Sequence, residues 1–122
     1  MLLSVLLLSS CSSRDKTLGY REITMDEAVA MMAKESNYII LDVRRPDEFA
    51  AGHIPEAINV PNEVIGESEI PELPDKAQLI LVYCRSGRRS KEAAKKLVKL
   101  GYTNIVEFGG ILDWKGEVVS EG

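Results

Sequence analysis

The residues with chemistry to offer lie together in one stretch, Cys84-Arg85-Ser86-Gly87-Arg88-Arg89-Ser90. Cysteine is a strong nucleophile only as the thiolate, and nearby cations or a helix N-terminus lower its pKa from about 8.5. Arg85, Arg88 and Arg89 supply the cations, and a helix predicted to begin near Ser90 points its positive end at the sulfur. Gly87 can adopt backbone angles closed to other residues, so successive N–H groups can turn inward as a nest around an anion. A cysteine at the end of a central strand is otherwise an ordinary buried core residue. Three arginines directly after it have no use in a core, so the pattern points to a reactive Cys84 cradled for a sulfur-bearing anion.

The flanking sequence supplies the elements that must hold this loop. Thr24-Met25-Asp26-Glu27 is a capping box that starts a helix running to about Lys34. Tyr38-Ile39-Ile40-Leu41-Asp42-Val43 reads as a buried strand ended by Pro46, and Asp47 to Ala51 as a short helix stopped by Gly52. Ala57 to Val60 predicts a second short strand. Residues 62–76, rich in acids and containing Pro71 and Pro74, predict a surface connection with some helix near its start. Gln78 to Tyr83 is almost continuously apolar and so predicts the central strand. Ser90 to Leu100 is amphipathic, with Ala93, Ala94, Leu97 and Leu100 on one face and Lys91, Lys95 and Lys99 left wet. Asn104 to Phe108 predicts another strand, and Gly109-Gly110 a turn into a last short helix holding Trp114. Strands alternating with helices give an α/β domain with a mainly parallel sheet flanked by helices on both faces. Sites in such sheets gather at the carboxyl ends of strands, and that rule selects the turn after Tyr83.

The chain has 122 residues, enough for one core. Its net charge of -4 gives no reason to expect nucleic acid as a partner, and two cysteines with one histidine cannot build a disulfide framework or a zinc cluster. Residues 1–10, MLLSVLLLSS, are too short to cross a bilayer, which takes about 20 residues, but fit the apolar region of a secretory signal. No Lys or Arg precedes that run. Leu8-Ser9-Ser10-Cys11 resembles the bacterial lipoprotein cleavage box, which implies lipidation of Cys11. Residues 11–19 would then be a tether and residues 20–122 the domain, anchored in the cell envelope and facing the periplasm or exterior. Ser12 favours the outer membrane in a Gram-negative host. Without a functional signal the chain would stay in the cytoplasm.

Several ordered motifs resemble the rhodanese family. Asp42-Val43-Arg44, Glu48-Phe49, Gly52-His53-Ile54-Pro55 and Ala57-Ile58-Asn59-Val60-Pro61 are similar to its first signature. Val82 to Ser90 resembles its active-site loop, and Gly101-Tyr102 with Gly109-Gly110-Ile111 and Trp114 its closing segments. Glu56 stands where the family usually has Gly. The resemblance implies a parallel sheet wrapped by helices and transfer of sulfane sulfur. Cys84 would attack a donor such as thiosulfate and hold the sulfur as a persulfide, until cyanide, a thiol or a protein removes it. The backbone from Arg85 to Arg89, through Ser86, Gly87 and Arg88, would cradle the persulfide. The Arg85 and Arg89 side chains would bind the donor. Asp42 and Arg44 are either supporting residues or an internal salt bridge, His53 a structural turn residue, and Trp114 core or pocket wall. No cofactor and no metal is implied.

Two other functions fit the same residues. Phosphatases and arsenate reductases that share the fold place five residues between cysteine and arginine, whereas four separate Cys84 from Arg89. A non-catalytic or redox-sensing envelope module would use Cys84 as a sulfenic acid or mixed disulfide. For the N-terminus, labelled palmitate fed to a bacterium expressing the full chain should enter the wild-type protein and not Cys11→Ser.

Overall fold

The computed structural model describes residues 18–121. The predicted signal, the Cys11 lipidation site and most of the tether lie outside the described residues. Leu18 and Gly19, assigned by sequence to the tether, belong to the domain: Leu18 packs on the core and Gly19 turns against Val98.

Five strands form one parallel sheet: β1 (Arg21–Glu22), β2 (Tyr38–Asp42), β3 (Ile58–Asn59), β4 (Leu79–Cys84) and β5 (Ile105–Gly110). Their order across the sheet is β1-β5-β4-β2-β3. Helices α1 (Met25–Lys34), α2 (Pro46–Ala51) and α3 (Arg88–Lys99) complete the α/β architecture. Side chains alternate across β4. Ile80 and Val82 join α3's Ala93, Ala94 and Leu97 on one face, while Leu81 and Tyr83 join α1's Ala28 and α2's Phe49 on the other. A strand buried on both faces has no polar side, which is why β4 reads as a continuous apolar run.

Local signals explain most boundaries. The Thr24–Glu27 capping box forms as predicted, with both reciprocal hydrogen bonds present. Gly101, at φ +101°, ends α3, where the Tyr102 N–H reaches the Leu97 carbonyl and the Gly101 N–H that of Val98. The start of α3 differs from expectation. The helix begins at Arg88, not Ser90, because Gly87 at φ +116° acts as the N-cap and Ser90 falls in the first turn. The segment 62–76 contains the expected turn of 3-10 helix at Asn62–Val64, but it is not merely surface: Ile65, Ile70 and Leu73 are buried in the α3-side core. The last helix is a 3-10 turn at Ile111–Asp113, and Trp114 lies just past it. Glu56 sits at φ +72°, a left-handed turn conformation that costs a side chain about 1–2 kcal/mol and suits the glycine usual at this position in the family it resembles.

Two features of β5 shape the central loop. Val82 pairs with Glu107 and Cys84 with Gly110, so β5 spends one more residue than β4 over this interval. The resulting bulge carries Gly109 at φ +96°. Gly110 then runs so close beneath the loop that a Cβ there would overlap the Arg85 carbonyl and come within 2.6 Å of the Ser86 Cα. Gly110→Ala should therefore lower the urea midpoint by the equivalent of about 1–3 kcal/mol, the usual cost of overpacking, in an equilibrium unfolding measurement.

Candidate active site

β4 ends at Cys84 and α3 begins at Arg88, so a three-residue turn joins the central strand to the N-terminus of the 12-residue helix. The positive φ of Gly87 reverses the chain and aims its N–H at the Cys84 Sγ, 3.0 Å away. Cys84 is 1% exposed. Burial pushes its thiol up. The Ser90 hydroxyl and the backbone N–H groups of Ser90, Gly87 and Ser86 pull it down, and the net result lies below the ordinary cysteine value. The Gly87 and Ser90 amides are among the donors that a helix start leaves free, and Ser86 adds one from the loop before it. The arrangement is a small anion nest whose floor is a sulfur.

Above the nest opens a depression of about 620 Å³ lined by Arg45, Glu48, Glu63, Arg85, Ser86, Arg88 and Arg89. Its cations are not equivalent. Arg89 is held away from the loop by a bidentate pair with Glu48, with N–O distances of 2.7 and 3.2 Å. Arg88 is exposed and pairs with Glu92 one helical turn along. Arg85 is exposed and has no ion pair among the described residues. The structure thus gathers all five predicted loop residues near Cys84, but the exposed guanidinium groups at the mouth are those of Arg85 and Arg88, not Arg89.

Asp42 and Arg44 form an internal salt bridge. Arg44 donates to both Asp42 oxygens, the shortest contact being 2.7 Å, and also to the Gly52 carbonyl at 2.6 Å. Both residues are buried. The Arg44 guanidinium also lies 5.8 Å from the Tyr83 ring centroid, and the Tyr83 hydroxyl accepts the Ile54 N–H. Burial pushes the Tyr83 phenol up, so it remains a neutral strut. His53 stacks on Phe49 with ring centroids 3.8 Å apart, and its Nδ1 lies 2.8 Å from the Phe49 carbonyl. It is structural. Trp114 packs on the α1-side core, away from the depression.

Three site residues escaped the sequence reading: Glu48 as the partner of Arg89, Ser90 as a hydroxyl beside the sulfur, and Glu107. Glu107 is 1% exposed, and its Oε2 accepts from the Ser90 hydroxyl at 2.5 Å and from the Gly109 N–H at 3.0 Å. A Glu between Val106 and Phe108 in a predicted strand was the available signal, because a buried carboxylate requires partners.

A family model described as "Rhodanese-like domain" matches residues 24–117. This chain is a rhodanese-like protein. It is 37% identical over 73 residues to the thiosulfate sulfurtransferase PspE of Escherichia coli, covering 60% of this chain and 70% of the relative. It is 35% identical over 96 residues to a sulfurtransferase of Allochromatium vinosum, covering 76% and 86%. A thiosulfate:glutathione sulfurtransferase of Saccharomyces cerevisiae is 36% identical over 93 residues, covering 66% of each chain. Among solved structures, an E. coli rhodanese with anions superposes with a TM-score of 0.62 at 34% identity, covering 68% of this chain and 98% of the other. The human single-domain sulfurtransferase TSTD1 shares the fold, with a TM-score of 0.68 at 23% identity, covering 79% and 97%. The rhodanese-like fold and membership of a sulfurtransferase family are therefore established for this chain.

The Glu48–Arg89 pair of this rhodanese-like domain has a pH signature. Its hydrogen bonds from Arg89 hold the Glu48 carboxyl down to about 2 from its ordinary 4.5. A depressed carboxyl contributes stability that is complete above the unfolded value and is lost as pH falls through the folded one. Glu48→Gln should therefore flatten the loss of stability between about pH 4.5 and 2 relative to wild type, as read by urea unfolding at stepped pH.

Proposed function

We propose that the protein is a thiosulfate-type sulfurtransferase that carries sulfane sulfur as a persulfide on Cys84. One observation carries the reading: the Cys84 sulfur, buried at the N-terminus of α3, accepts the Gly87 N–H at 3.0 Å beneath an arginine-bearing mouth. The thiosulfate activity named for relatives at similar identity supports the choice of donor.

In the first half-reaction the Cys84 thiolate attacks the outer sulfur of thiosulfate. A Cys84 S–S bond forms, the sulfur–sulfite bond breaks, and sulfite leaves with the electron pair. Arg85 and Arg88 attract the dianion, and the amides of Ser86, Gly87 and Ser90 stabilise charge on the persulfide. In the second half-reaction a thiolate, cyanide or a protein cysteine attacks the terminal sulfur, and Cys84 leaves as thiolate. In each step one bond to the transferred sulfur forms as another breaks, so neither step needs an outside oxidant or reductant.

The loop dimensions favour this chemistry over phosphate transfer. Four residues between Cys84 and Arg89, with the helix starting at Arg88, leave a tight nest of amides sized for a sulfur atom. The lipoprotein-like Leu8-Ser9-Ser10-Cys11 box supports the further proposal that the domain works in the bacterial cell envelope, held there by lipid on Cys11.

The deciding experiment is thiosulfate-to-cyanide transfer by the full-length chain beside Cys84→Ser, with mass spectrometry after thiosulfate alone. Thiocyanate production abolished in the variant, and one added sulfur on the wild type only, is the expected result. No turnover and no added mass would overturn the reading.

A further inference from the structure

Glu48 has no part in the chemistry above, yet it is a carboxylate standing in a mouth whose cations suit an anion. It lines the depression together with Arg85, Arg88 and Arg89. Its own helix fixes it there. Glu48 is the third residue of α2, and its Oε1 accepts the Arg45 N–H at 3.0 Å, a bond that ties the side chain to the helix start. From this anchored position both carboxylate oxygens reach the Arg89 guanidinium, at 2.7 and 3.2 Å. The two side chains are 20% and 16% exposed, so this pair is better shielded from water than Arg45–Asp47 or Arg88–Glu92 at the same rim.

Two oxygens against two guanidinium nitrogens are what a bound oxyanion would also present to Arg89. Glu48 supplies them from within the protein, and with its carboxyl held down at about 2 it is charged at neutral pH. A fork that already holds a carboxylate is closed to a second anion. An entering donor could take Arg89 only by displacing Glu48 from two charge-assisted hydrogen bonds in a half-buried place, and that loss would offset the gain.

We propose that Glu48 is a positioning residue for the donor site: it fills the Arg89 fork as a built-in substitute for an oxyanion, so the donor is held without Arg89. The consequence falls on both ends of the first half-reaction. Thiosulfate entering and sulfite leaving present the same kind of oxygen-bearing anion. A third guanidinium on the donor would therefore hold the product as well, and binding both equally does nothing for turnover. Keeping Arg89 occupied weakens donor binding and lets sulfite leave. That consequence rests on Cys84 as the sulfur carrier, but the test uses an unreactive anion and so stands or fails apart from the transfer assay.

The probe is inorganic sulfate, which cannot donate sulfur. Its binding is read as slowed alkylation of Cys84 by iodoacetamide at constant ionic strength, on full-length protein in a Cys11→Ser background. Glu48→Gln keeps the oxygen that accepts the Arg45 N–H but replaces the charge and one acceptor with an amide donor, which releases Arg89. The sulfate dissociation constant should fall about tenfold. Glu48→Gln with Arg89→Lys should lose most of that gain, because lysine keeps the charge without the fork. Glu48→Gln with Arg89→Gln should bind sulfate within about twofold of the wild type, since the two changes act through one pair. A constant unchanged or raised in Glu48→Gln, or no protection by sulfate in that variant, overturns the proposal. So does Glu48→Gln with Arg89→Lys binding as tightly as Glu48→Gln, which would mean that the carboxylate acts by charge through space. Binding about tenfold weaker than wild type in Glu48→Gln with Arg89→Gln overturns it as well, since Arg89 would already have been on the anion. That double variant leaves neither partner of the pair unmatched, so it decides the matter even if Glu48→Gln alone fails to fold.

Discussion

A sulfur kept from water must receive its hydrogen bonds from the protein, and that requirement governs everything around Cys84. With 1% of the residue exposed, charge on the sulfur can be stabilised only by groups built into the fold. The first turn of a helix is the one place where a main chain offers several unused N–H groups aimed the same way. A strand must therefore end on the cysteine and a helix begin almost at once, and Gly87 makes that reversal possible. The remaining architecture holds the turn. The bulge at Gly109 and the missing side chain at Gly110 bring β5 up beneath it, where the Leu112 N–H reaches the Arg85 carbonyl at 3.2 Å.

The charges form two populations with different work. Buried and half-buried pairs hold geometry: buried Asp42–Arg44 joins the end of β2 to the Gly52 carbonyl, and half-buried Glu48–Arg89 binds α2 to α3 across the mouth. Exposed cations, Arg85 and Arg88, remain for the solvent side. A buried pair adds little net stability over apolar residues of the same shape, so the value of these pairs lies in fixing positions. Arg89 illustrates the division. A guanidinium engaged at both ends by Glu48 cannot also swing onto an anion without releasing a carboxylate into a half-buried site.

What could be read from the amino acids alone follows the same physics. Continuous apolar strands, the Thr24–Glu27 box and the arginine-rich loop are local patterns, and each appears where it was expected. The misses share another cause. β1 is two polar residues, Arg21 and Glu22, and exists only because β5 lends it an edge. Ser90 resembles a helix cap, but the left-handed Gly87 takes that place without any side chain. Ile65, Ile70 and Leu73 lie between prolines and acids, and nothing local says that the connection folds back over the core. Glu48 and Glu107 find their partners through pairings 41 and 17 residues apart, beyond any window of periodicity.

The strand order also sets a schedule for folding. β1, the first of the described strands, has no neighbour in the sheet but β5, the last of them, so the sheet cannot close until β5 has been made. The final residues then seal it, as Val119 bridges His53 and the Glu121 N–H reaches the Ala50 carbonyl. Contacts this distant in sequence are formed late and slowly. Until β5 has emerged from the ribosome, such a chain is an incomplete sheet. Completion waits for β5, so the topology keeps the reactive loop from being held in place until that strand has joined the sheet.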